Sequence, residues 1–68
     1  MAIKTKIEQL KVYSGNIKMY LKEINEILDG DIDFDALFTA EQKIDRLISE
    51  AENFKDITQK AYDDLEEE

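Results

Sequence analysis

The spacing of apolar residues in the first third of the chain constrains its fold more than any other feature. Ile3, Ile7, Leu10, Ser14, Ile17, Leu21, Ile24 and Leu28 follow one another in alternating steps of four and three. That is the period of an α-helix with one apolar stripe, and only Ser14 interrupts it. Past the middle, Leu37, Ala40, Ile44, Leu47, Ala51, Phe54, Thr58, Ala61 and Leu65 repeat the pattern. The spacing predicts two helices, roughly 2–29 and 34–66, and an all-α single domain over residues 1–68.

Between them lies Asp29-Gly30-Asp31-Ile32-Asp33-Phe34-Asp35. Gly30 suits the left-handed position that often closes a helix, and either Asp33 or Asp35 can cap the next one. Thr39-Ala40-Glu41-Gln42 also fits a capping box, so a later start at Thr39 competes with the earlier one. The earlier start is favoured, with Phe34, Leu37 and Phe38 as an apolar first turn. Ser14-Gly15-Asn16 has turn-like composition, and an interior Gly costs about 1 kcal/mol relative to Ala. The heptad phase nevertheless runs through it without a slip, which predicts a continuous first helix.

In an antiparallel pair the numbers of facing residues sum to a constant. A sum of 68 pairs Leu28 with Ala40, Ile17 with Ala51, Ser14 with Phe54, Leu10 with Thr58 and Ile7 with Ala61. These layers set a large side chain against a small one, as a dense core requires. An antiparallel αα-hairpin is the expected fold. It leaves apolar residues over: Tyr13, Tyr20 and Ile27 one position before the seam, widened by Val12 and Met19, and Ile48, Ile57 and Tyr62 on the second helix. Soluble monomers rarely expose so much, so the hairpin is expected to dimerise into a four-helix bundle through these residues.

Charge divides the chain. Residues 1–28 carry five lysines against three glutamates, a balance of +2, and residues 29–68 carry fourteen acids against four bases, a balance of −10. The two halves should attract each other when side by side.

Composition excludes much chemistry. There is no Cys, hence no disulfide or thiolate, and no His, so a zinc site or a nucleophile–base pair of the usual kind is not expected. No cofactor and no enzymatic activity are expected. No apolar run is long enough to span a bilayer or to act as a signal peptide, which makes a cytoplasmic, non-membrane protein the expectation. The aspartates Asp29, Asp31, Asp33 and Asp35 invite a calcium loop. Both possible registers, however, place Phe34 or Ala36 where the glycine must stand and Ala40 or Gln42 where the glutamate must. A solvated turn is the better reading. Lys4, Lys11 and Lys18 recur every seven residues and could form a basic stripe for RNA. A net charge of −8 and a single Arg oppose direct nucleic-acid binding. Lysine stems lying over apolar surface, with heads toward the acidic helix, explain the stripe more simply.

Two functional expectations follow. The first is a non-enzymatic protein that acts through self-association and contact with another protein. The second is an acidic, nucleic-acid-mimicking inhibitor of a DNA- or RNA-binding protein, presenting Glu41, Asp45, Glu52, Asp56, Asp63 and Glu66. Nine Ile and eight Lys beside one Arg are the usage of an AT-rich genome, and small acidic helical chains are common in phages and bacterial mobile elements.

Overall fold

A computed structural model describes residues 2–67 as two α-helices, α1 (Ala2–Asp29) and α2 (Phe34–Glu67), packed against each other as a hairpin. The molecule is a rod, 52 × 14 × 12 Å along its principal axes.

The turn occupies residues 30–33. Gly30 N–H donates to Ile27 O at 3.2 Å, a tight three-residue closure of α1. No described glycine has a positive φ, so the left-handed closure expected at Gly30 does not form. A Cβ at Gly30 would lie 3.7 and 3.8 Å from the Ile27 and Glu26 carbonyl oxygens, ordinary contact distances. Asp33 then caps α2: its Oδ1 accepts from Ala36 N–H at 2.8 Å, and its carbonyl accepts from Leu37 N–H at 3.1 Å. This is the earlier of the two expected starts, and the Thr39 alternative falls inside the helix. α1 runs unbroken through Ser14-Gly15-Asn16. The helical pattern on either side outweighs the local cost of Gly15.

The hairpin is present as expected, but its helices are rolled about their axes relative to the predicted seam. In α1 the half-buried or buried positions are Ile3, Lys6, Leu10, Tyr13, Ile17, Tyr20, Ile24 and Ile27, with Asn16 and Glu23 beside them. Ile7, Ser14, Leu21 and Leu28, expected inside, are exposed. In α2 the interface is Ala36, Ala40, Lys43, Leu47, Glu50, Ala51, Phe54, Ile57, Ala61 and Asp64, while Leu37, Ile44, Thr58 and Leu65 are exposed. Half the predicted seam is correct on each helix, and the other half moves to the adjacent row.

Heptad letters make the roll explicit. In α1, a is Ile3/Leu10/Ile17/Ile24, d is Lys6/Tyr13/Tyr20/Ile27 and e is Ile7/Ser14/Leu21/Leu28. In α2, a is Ala40/Leu47/Phe54/Ala61, d is Ala36/Lys43/Glu50/Ile57/Asp64 and e is Leu37/Ile44/Ala51/Thr58/Leu65. The a and d rows pack the hairpin. The tyrosines at d give the physical reason: they bury more area than Ser14 would in their place.

The core is thin. Ile24, Ala40 and Ala61 are the only buried side chains among the described residues, at 7%, 4% and 4% exposure, and none is sealed completely from solvent. The two alanines sit near opposite ends of α2, where small side chains allow the helices to approach closely.

Candidate interaction surface

The rolled packing gives the hairpin two unlike long edges. Along one, at the d and g rows, Lys6 pairs with Asp64. On the same edge Lys43 Nζ lies 3.1 Å from Glu23 Oε2, and Asn16 Nδ2 donates to Glu50 Oε2 at 3.4 Å. All three contacts join α1 to α2, and their partners sum to between 66 and 70, the antiparallel register. The basic residues of these cross-helix pairs are Lys6 and Lys43. The stripe Lys4, Lys11 and Lys18 is exposed instead.

The opposite edge is apolar. In an antiparallel pair the two e rows lie on the same side. One open groove of about 470 Å³ confirms it, being lined by Ile7 and Ser14 from the e row of α1, Thr58 from that of α2, and Leu10, Phe54 and Lys11. Ile7, Leu21 and Leu28 are 41–52% exposed, and Leu37, Ile44 and Leu65 are 42–59% exposed. Thr58 donates its hydroxyl to Phe54 O at 2.7 Å, so this polar group is satisfied within its own helix and makes no demand on solvent there. Near the turn the edge widens into Phe34, Leu37, Phe38 and Glu41, which line a second groove of about 300 Å³.

The residues expected to mediate association are divided among three places. Tyr13, Tyr20, Ile27 and Ile57 are half-buried between the two helices of the hairpin. Ile48 and Tyr62 are exposed in the row that borders the apolar edge of α2 and extend it. Val12 and Met19 are exposed on α1, in a row that heptad geometry puts away from that edge. The acidic set Glu41, Asp45, Glu52, Asp56, Asp63 and Glu66 is exposed, Glu41 beside the apolar edge and the others on rows of α2 turned away from it, with Asp56 3.2 Å from Lys60 one turn on.

Ile7, Leu21, Leu28, Leu37, Ile44 and Leu65 are the surface residues that sequence reasoning assigned to the interior. The signal that could have found them is the charge at neighbouring positions. Lys6 with Asp64, and Glu23 with Lys43, are opposite charges in antiparallel register, and they align only if the d rows face inward.

No group of three or more acidic, His or Cys side chains among the described residues could hold a metal ion. No described helix is long and apolar enough to cross a membrane. Comparison with protein-family models, curated proteins and solved structures found no match.

Proposed function

We propose that this chain works by protein–protein contact, as a helical hairpin that pairs with a second copy through its apolar edge to form a four-helix bundle. One observation carries the reading: Ile7, Leu21 and Leu28 of α1 and Leu37, Ile44 and Leu65 of α2, all in the e rows, are exposed on the same side, and the interhelix polar contacts are on the other. Surface area supports it. The hairpin exposes 5415 Å², whereas a compact folded chain of its 7.9 kDa mass exposes about 4,400 Å². The excess, on the order of 1,000 Å², compares with the ~800 Å² that each partner contributes to a stable interface. In this reading the assembled bundle is an adaptor or structural element that contacts a further protein, and no catalytic step is assigned to it.

Sedimentation equilibrium at micromolar concentration tests the pairing. The expected mass is twice the 7.9 kDa of the chain. A folded species that stays monomeric over that range overturns the reading.

A second reading, an acidic inhibitor occupying a nucleic-acid-binding groove, draws on the exposed acids along α2. Salt separates the two. A complex held by those acids weakens steeply as ionic strength rises, whereas an apolar bundle changes far less.

A further inference from the structure

The turn end of the rod is unlike the rest of its surface. Residues 23–42 hold seven of the seventeen acids and neither Lys nor Arg, so they carry −7 of the net charge of −8. The remainder of the chain, with ten acids and nine bases, is almost neutral. Glu23 is paired with Lys43, and none of the other six acids is in an ion pair among the described residues.

The same end exposes two of the three phenylalanines. Phe34 is 82% exposed, more than any other large apolar residue described, and Ile32, Phe38 and Leu37 are 49–54% exposed. Phe34, Leu37, Phe38 and Glu41 line one groove of about 300 Å³ on the first two turns of α2. Their spacing, i, i+3, i+4 and i+7, is the one by which a helix lays a single face against another protein. Pairing through the e rows leaves much of this patch uncovered. Phe38 is in the f row, turned away from them, and Ile32 lies in the turn beyond both helices. Local chemistry explains the acids only in part. Asp33 caps α2, and Asp35 suits the positive end of the helix dipole. Neither role needs a phenylalanine in water beside it.

Charge decides what can cover the patch. A second copy would bring its own −7 to the same place, and phosphate, whether of nucleic acid or of an anionic bilayer, is repelled likewise. A protein face of apolar side chains bordered by Lys and Arg suits both the phenylalanines and the acids. We infer that the turn end docks such a partner, with Phe34 and Phe38 as the apolar anchors and Asp31, Asp35 and Glu41 facing its bases. The inference adds a contact to the pairing proposed above and does not depend on it.

The simplest segment of this chemistry is a basic amphipathic helix, so a synthetic amphipathic peptide of leucine and lysine is the probe. The same composition scrambled, and a leucine–glutamate version, are its controls. Amide resonances of the isotope-labelled chain are followed during titration. Saturable shifts centred on residues 31–41 are expected with the leucine–lysine peptide and none with the leucine–glutamate one. Phe34→Ala and Phe38→Ala are each expected to weaken binding about tenfold, with circular dichroism checking that the helices persist. Leu21→Glu, which removes the pairing edge, should leave binding at the turn end in place, so the two readings fail separately. Shifts centred on Ile7, Leu21 and Ile44 would seat the probe on the apolar edge and overturn the inference. Equal binding of the scrambled peptide would reduce the contact to charge alone and overturn it too, as would the absence of saturable binding.

Discussion

Along one edge of the hairpin the contacts between α1 and α2 are ion pairs and an amide–carboxylate hydrogen bond. Along the other, both helices present aliphatic side chains to solvent. The polar edge has little energy to give, because partly exposed ion pairs contribute about 0–1 kcal/mol each. Its value lies in specificity: Lys6 with Asp64 and Lys43 with Glu23 meet in only one roll and one register. The apolar edge has the opposite character. It could contribute far more, at about 25 cal/mol per Å² removed from water, but an isolated hairpin leaves that area wet. One edge sets the geometry within a chain, and the other is left exposed by it.

The contrast can be broken most severely by placing a charge on the apolar edge. Leu21→Glu, at a residue 48% exposed in the hairpin, is expected to abolish the dimer while leaving the monomer helical. Sedimentation together with circular dichroism checks both halves of that statement. Filling the edge should act the other way: Ser14→Leu, beside the open groove over Phe54, is expected to tighten association by about 1–2 kcal/mol. A titration followed by fluorescence anisotropy of a labelled chain would measure it.

Changes remote from both edges sharpen the comparison as controls. Gly15 is exposed, and a Cβ there would meet nothing within 4 Å. Gly15→Ala should therefore raise folding stability by up to about 1 kcal/mol through helix propensity alone, with the dimer constant unchanged. Chemical denaturation at fixed protein concentration reads the first, and sedimentation the second. The smallest effect belongs to the polar edge. Glu23→Gln is expected to cost less than about 1 kcal/mol in denaturation. Its more telling readout is a loss of uniqueness, seen as broadened amide resonances around Tyr20 and Leu47.

Much of the fold could be read from the chain, and the part that could not has a definite physical cause. The helices, the turn and the Asp33 cap follow from periodicity and local chemistry, which act over a few residues. The roll of the helices does not. Steps of four and three fit Ile3, Ile7, Leu10 and Ser14 as well as they fit Ile3, Lys6, Leu10 and Tyr13. A stripe three rows wide cannot by itself say which two rows face inward. Favouring aliphatic residues sets Ile7 and Leu21 inside, but Tyr13 and Tyr20 cover more surface there, and the lysines at d keep their heads at the edge beside acids. The candidate surface was displaced with the seam. Ile48 and Tyr62 are exposed beside it, whereas Tyr13, Tyr20, Ile27 and Ile57 help to close the hairpin. The left-handed closure expected at Gly30 does not form, because the three-residue closure on Ile27 needs no left-handed residue.

The scarcity of buried side chains has a consequence for how such a protein would persist in a cell. With Ile24, Ala40 and Ala61 as its buried residues among those described, a lone hairpin is expected to open more readily than a paired one. For a chain that pairs, stability is linked to concentration: the melting temperature rises with the amount of protein, and dilute copies are degraded first. Abundance and lifetime would then reinforce each other, giving a threshold in expression below which the protein is cleared.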